Sequence, residues 1–288
     1  MARLSGSALA LESPHDISRL YRIMNGLVSH GTVNRPSNMF DLARSVLTPT
    51  PQLRQENSLG GGEGCEGLYG SITPRNTEIL FQSMTKLAGM GSDSVLMDVG
   101  SGLCRPLIHA LATRRVAACR GVEIDSVKCQ KAEAFIELTR RRIKANGMDL
   151  NSDFALDVVC SGIENIKTLD PVTHVYSFWE GVPVDARVGL GKLFRESSTA
   201  RAICVVQRAM RCQSPAGFMS EAYGFGPLRL VDTRQVSMSG SGRSFTAYVF
   251  SKDEKRARGE EGETDVIRRT FKQKRRSSRA ADGKGLKP

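Results

Sequence analysis

Apolar positions along the middle of this chain alternate between two spacings. Residues 94–99 and 117–123 are dense apolar runs of strand length, whereas Leu103, Leu107, Ile108 and Leu111 between them recur at helical spacing. Pro106 falls in the first turn of that helix, where its missing N–H costs little. An earlier helix is predicted over 76–87 from Ile79, Leu80, Met84 and Leu87, with Thr73-Pro74 as its start signal. A longer one runs from 126 to about 146 and sets Ala132, Phe135, Ile136, Leu138 and Ile143 against a basic end, Arg140-Arg141-Arg142 and Lys144. Those cations suit the negative terminus of a helix, and Asn146-Gly147 ends it. Further strands are predicted at 154–160, 172–178, 202–206, 228–236 and 245–251, with a helix near 185–195. An α/β alternation that finishes in two strands with no helix between them predicts a seven-stranded, mostly parallel Rossmann-like sheet closed by an antiparallel hairpin.

The flanks read differently. Residues 1–60 mix short apolar patches with Pro36, Pro49, Pro51 and Gly60-Gly61-Gly62, which predicts short helices near 17–28 and 39–47 followed by a linker. The catalytic-sized unit is expected over 61–252 and a disordered basic tail over 253–288. With 40% apolar residues in 288, one substantial core is affordable. No apolar run approaches the roughly 20 residues of a membrane span, and the first residues lack a signal-peptide core, so a soluble intracellular protein without membrane contact is expected. The seven cysteines form no C-x-x-C pair and the four histidines are scattered, which predicts neither a disulfide framework nor a metal site. Of the net charge of +11, residues 268–288 supply a surplus of eight, nine basic side chains against Asp282. Such an arm fits DNA or RNA, or a nuclear import signal around Lys272-Gln273-Lys274-Arg275-Arg276; a solvated tail that binds nothing is the plainer alternative.

Candidate chemistry enters at Asp98-Val99-Gly100-Ser101-Gly102 and Gly121-Val122-Glu123-Ile124-Asp125. A buried strand that ends in Asp, breaks into glycines and restarts as a helix brings backbone N–H groups against a nucleoside-bearing ligand, and an acid at the next strand's tip would take ribose hydroxyls. The loop lacks the third glycine of a dinucleotide site and continues Leu103-Cys104-Arg105-Pro106, so no pyrophosphate cradle is evident. S-adenosyl-L-methionine, which carries no phosphate, suits it better. The bland alternative is a tight strand-to-helix turn; a nicotinamide oxidoreductase is the weakest reading.

Leu68-Tyr69-Gly70-Ser71, some thirty residues before the glycine loop, together with Gly121-Val122-Glu123, resembles the disruptor-of-telomeric-silencing histone methyltransferases, the non-SET enzymes that methylate lysine seventy-nine of histone H3. Gly181-Val182-Pro183-Val184-Asp185, and Val236-Ser237-Met238-Ser239-Gly240 leading into Phe245-Thr246-Ala247-Tyr248, are similar to later parts of that family; the likeness spans about 68–251. It implies a class I methyltransferase fold, S-adenosyl-L-methionine as cofactor, a nucleosomal substrate and a nuclear location. It implies cofactor contacts at Tyr69, Gly70, Ser71, Asp98, Gly100, Ser101, Gly102, Glu123, Ser161 and Gly162. The chain departs from the family at Ser71, where Glu is usual, at Cys104, the usual third glycine, and around Ser161-Gly162-Ile163, where an acid is expected. Tyr176-Ser177-Phe178-Trp179 stands in place of the Asn-Asn-Phe stretch that lines the family's transfer channel.

Methyl transfer to an amine needs alignment and exclusion of water more than an elaborate catalytic set. Phe178 and Trp179 are candidate channel walls and Tyr69 a candidate lid; filling of the core and a surface turn are the respective alternatives. Rival functions are a methyltransferase of RNA or another protein, and a non-catalytic chromatin-binding relative. Deleting 268–288 is expected to weaken nucleosome binding and flatten its dependence on salt, because counterion release scales with phosphate contacts; filter binding across a salt series checks it, and equal binding by the truncated form removes the tether.

Overall fold

The computed structural model describes residues 14–29, 71–148, 154–239 and 243–253. Its elements in chain order are α1 (Pro14–Ser29), α2 (Pro74–Ala88), β1 (Val95–Val99), α3 (Arg105–Ala112), β2 (Ala118–Glu123), α4 (Ser126–Ala145), β3 (Leu156–Cys160), β4 (His174–Phe178), α5 (Val184–Glu196), β5 (Ala202–Gln207), α6 (Pro215–Tyr223), β6 (Leu228–Ser237) and β7 (Ser244–Lys252). They form one seven-stranded sheet ordered β3-β2-β1-β4-β5-β7-β6. The first five strands are parallel, and β7 runs antiparallel to both β5 and β6. This is the expected seven-stranded, mostly parallel sheet closed by an antiparallel hairpin. The expected helix at 39–47 lies outside the described residues.

Alternation along the strands divides the core. Leu96, Cys119, Tyr176 and Val206 face α1 to α4, while Met97, Val122, Val175 and Val205 face α5 and α6. The sheet is therefore covered on both sides, which is why its strands read as continuous apolar runs. Local chemistry sets the helix ends. The Thr73 hydroxyl accepts from the Asn76 N–H ahead of Pro74, and Gly89 closes α2 in the left-handed region at φ +71°. Asp125 caps α4 by accepting from the N–H groups of Val127 and Lys128 at 2.8 and 3.1 Å. Helix α6 was not foreseen: it is only nine residues long, contains Gly217, and shows its start mainly through Ser214-Pro215, whose hydroxyl caps it.

Helix α1, assigned from sequence to a separate N-terminal segment, packs into the first face through Leu20, Tyr21, Met24 and Leu27. A buried network holds it there. His109 bonds the Tyr21 hydroxyl at 3.2 Å through Nδ1 and the Glu78 carboxylate at 2.9 Å through Nε2, and Arg115 completes an ion pair with Glu78. Burial keeps the His109 imidazole below its ordinary pKa, so the neutral ring donates from Nε2 and accepts the tyrosine proton at Nδ1. Burial pushes Glu78 up, but the His109 hydrogen bond and the Arg115 charge outweigh it and leave its pKa at about 2. The folded carboxyl thus holds its proton more weakly than an unfolded one, so its stabilisation is complete above the ordinary pKa of 4.5 and is lost as pH falls toward 2. Glu78→Ala is expected to cost about 2 kcal/mol at neutral pH, since it strands His109 and Arg115. Urea denaturation between pH 7 and 3 checks this, and the difference from the parent should shrink in the acid range.

Candidate functional site

The chemistry gathers at the carboxyl ends of the parallel strands. Asp98, the fourth residue of β1, lies opposite Gly121 on one side and Tyr176 on the other. Its carboxyl is 3% exposed, and burial followed by the nearby Glu123 charge raises its pKa well above the carboxylate range. After Val99 the chain turns through Gly100 at φ +81° and Gly102 at φ +49°, left-handed conformations that glycine adopts without penalty. Gly100 and Ser101 both donate their N–H groups to the Val122 carbonyl, at 2.8 and 3.1 Å, so the loop folds over β2.

Glu123 terminates β2 beside that loop. One carboxylate oxygen accepts the Gly102 N–H at 3.0 Å and the other the Asp125 N–H at 3.1 Å, with the residue 6% exposed. The two strand crests expected to flank a nucleoside are therefore within one hydrogen bond of each other. Asp125, the other acid of this stretch, is engaged in capping α4. Close approach depends on Gly121: a β-carbon there would sit 2.7 Å from the Ser101 hydroxyl and 2.9 Å from the Cys104 sulfur. Cys104 stands where the family's third glycine is usual, yet keeps a glycine-like φ of +58° and caps α3 with no side-chain hydrogen bond. That conformation costs a residue with a β-carbon about 1 kcal/mol.

At the next crest the Ser161 N–H donates to the Glu123 carbonyl at 2.9 Å and its hydroxyl to the Gly162 carbonyl at 3.1 Å. Neither supplies an acid, but a residue the sequence reading passed over does. The 3-10 turn Ile163–Asn165 bends Glu164 back so that its carboxylate lies 2.0 Å from where a β-carbon on Gly162 would be. A carboxylate oxygen thus takes the space that a β-carbon at 162 would occupy, one to three residues beyond positions 161–163, where an acid is expected. The available signal was an acid just beyond the expected place, next to a glycine with room for it. Ile124, 64% exposed, and Val127 present apolar surface just beyond Glu123.

The aromatic candidates separate. Phe178, at the end of β4, is half-buried and meets Phe245 of β7 edge to face at 5.0 Å, at the same rim as the carboxylates. Trp179 is turned to the opposite face and fully buried in the second core, against Tyr223 at 5.1 Å and Phe225 at 6.1 Å, with the Arg187 guanidinium 5.2 Å from its ring centroid. Strand alternation sends neighbouring side chains to opposite faces, so Trp179 fills the core and does not line a channel with Phe178. Tyr69 and Gly70 lie outside the described residues. Ser71 is described: its carbonyl accepts the Ser239 N–H at 2.8 Å, and Thr73 donates to Ser237 at 2.9 Å, which lays this strand-like piece along the end of β6. A cavity of about 390 Å³ among Val95, Ala118, Phe154 and Pro171 sits at the other ends of the strands, away from this chemistry.

Residues 52–157 match the model of a family described as histone methylation protein DOT1. No curated protein matches the chain. Among solved structures it is similar to magnesium protoporphyrin IX methyltransferase from Synechocystis with bound S-adenosylmethionine (11% identity, TM-score 0.45, 77% of this chain and 100% of that one). It is also similar to a SAM-dependent methyltransferase from Aquifex aeolicus (13%, 0.39, 63% and 99%) and to TrmK of M. capricolum in complex with S-adenosylhomocysteine (9%, 0.40, 61% and 68%). The matched segment runs from before the Tyr69-Gly70 motif to the start of β3 and takes in both acid-bearing crests. The match to the DOT1 histone methylation family thus covers, among the described residues, α2, β1, α3, β2, α4 and the start of β3.

Proposed function

We propose that the chain is an S-adenosyl-L-methionine-dependent methyltransferase whose acceptor is a lysine of nucleosomal histone, lysine seventy-nine of H3 being the family's site, and that it acts in the nucleus. The observation that carries the cofactor reading is the Glu123 carboxylate held against the Gly102 N–H at 3.0 Å, with the Asp98 carboxyl on the adjoining strand. The donor set fits an adenosine cofactor. Among the described residues the buried Ser101 hydroxyl has no hydrogen-bond partner, and the absence of a side chain on Gly121 leaves the loop free to approach.

When bound, the cofactor supplies an electrophilic methyl group on a sulfonium. The residues of this chain hold and orient. Glu123 would hold the ribose hydroxyls, and the Gly102 N–H that it now accepts would be a donor beside them. Glu164 would accept from the adenine amino group in place of the acid absent around 161–163, and Ile124 would cover the base. Asp98, with Gly100 and Ser101, borders the methionine part. Phe178, braced by Phe245, and Tyr69 as a lid wall the route to the methyl group, where exclusion of water keeps an incoming lysine neutral by lowering its pKa. Ser71 lies beside the end of β6, its carbonyl accepting the Ser239 N–H. The basic tail adds affinity for nucleosomal DNA.

Because the buried Asp98 carboxyl holds its proton more tightly than the unfolded chain does, ionising it opposes folding as pH rises from the ordinary aspartate range toward its raised value. Asp98→Asn is therefore expected to raise the melting temperature of the free protein at pH 7.5 while weakening S-adenosylhomocysteine at least tenfold in titration calorimetry. A stabilised variant with unchanged affinity removes Asp98 from the pocket. For the reaction, incubation with methyl-labelled cofactor should mark histone H3 in nucleosomes and leave total RNA unlabelled, and Glu123→Ala should lose more than tenfold in cofactor affinity. Labelled RNA with unlabelled nucleosomes would falsify the histone assignment and leave the cofactor site standing.

A further inference from the structure

Two thiols converge behind Glu123. In β3, Val158 packs on the first core and Val159 on the second, so alternation turns Cys160 to the first face, the one α4 covers. Cys160 is also the register partner of Glu123 on the neighbouring strand. Cys129 stands in the first turn of α4, above the same crest, and its thiol donates to the Glu123 carbonyl oxygen at 3.4 Å. Through the Cys129 bond to the Glu123 carbonyl and the pairing of Cys160 with Glu123, the two cysteines stand at one crest on one face of the sheet. Both are free; Cys160 is exposed and Cys129 buried. Burial and the adjoining Cys160 push the Cys129 thiol up to about 12, which makes Cys160 the sulfur that meets a solvent oxidant first.

We propose that Cys129 and Cys160 form a dithiol site that a hydroperoxide converts to a disulfide, and that closing it weakens cofactor binding at Glu123. The Cys160 sulfur attacks a peroxide oxygen; the O–O bond breaks, Cys160 becomes a sulfenic acid, and water leaves when hydrogen peroxide is the oxidant. The Cys129 sulfur then attacks the sulfenic sulfur, the S–O bond breaks as the S–S bond forms, and the departing hydroxide takes the Cys129 thiol proton as a second water. Two thiols are oxidised and one peroxide is reduced. Bringing the sulfurs to about 2 Å draws the β3 crest toward the start of α4. It also takes the Cys129 proton off the Glu123 carbonyl, so the backbone that carries the ribose carboxylate is re-aimed. Formation of the bond is independent of the functional reading; its effect on the cofactor rests on Glu123 as the ribose ligand.

The test uses the full chain, with hydrogen peroxide as oxidant, mass spectrometry of alkylated digests, and titration calorimetry with S-adenosylhomocysteine. Expected are a linked 129–160 peptide pair two hydrogens lighter than the free thiols and an affinity at least tenfold weaker. Dithiothreitol should reverse both, and both should be absent in Cys160→Ser. Cys129→Ala should stop at a Cys160 sulfenic acid that dimedone traps. Cys160 oxidised to sulfinic acid with no link, a link to a different cysteine, or a 129–160 link with unchanged affinity overturns the proposal. If the reduced parent binds no S-adenosylhomocysteine, the cofactor reading fails, and the peptide link alone decides the dithiol.

Discussion

The Glu123 carboxylate is the constraint around which this end of the molecule is arranged. It receives one N–H from the glycine loop after β1 and one from the start of α4, and so ties two successive β-to-α turns through a single buried charge. A carboxylate removed from water needs such donors, since an unpaired one costs several kcal/mol. The loop in turn needs Gly121, because any β-carbon there would collide with Ser101 and Cys104. The proximity of the two crests thus follows from sterics and from satisfaction of charge together.

Asp98 illustrates the opposite condition. Its carboxyl is buried beside Glu123, and burial followed by that neighbouring charge raises its pKa, so ionising it is a cost to the free protein. Cys104 is similar in kind, since it keeps the left-handed turn of a glycine-rich loop without the residue that adopts it freely. The first face spreads its polar groups between this crest and the His109 network that seats α1, and the second face holds the Trp179, Tyr223 and Phe225 cluster.

Departures from the family pattern acquire meaning from geometry. The stretch Ser161-Gly162-Ile163 lacks the expected acid, and the turn that follows brings the Glu164 carboxylate against Gly162. The adjacent aromatics Phe178 and Trp179 looked like a matched pair of walls, but they occupy opposite sides of the sheet, one against Phe245 and one deep in the second core.

Strand and helix periods, the Thr73-Pro74 and Asn146-Gly147 boundaries and the glycine loop were legible in the residue order, because they arise from backbone sterics and the two-sided burial of a parallel sheet. The mostly parallel sheet with its closing hairpin was legible from the α/β alternation, and Asp98 and Glu123 from the acids that end two apolar runs beside glycines. Helix α6 was hidden by its brevity, and the docking of α1 on the first face by the distance in sequence between Tyr21 and His109. Which aromatic faces the rim, and that the Glu164 carboxylate folds back beside Gly162, were decided only by folding, since each depends on how the chain turns after its strand and the residue order carries no record of that.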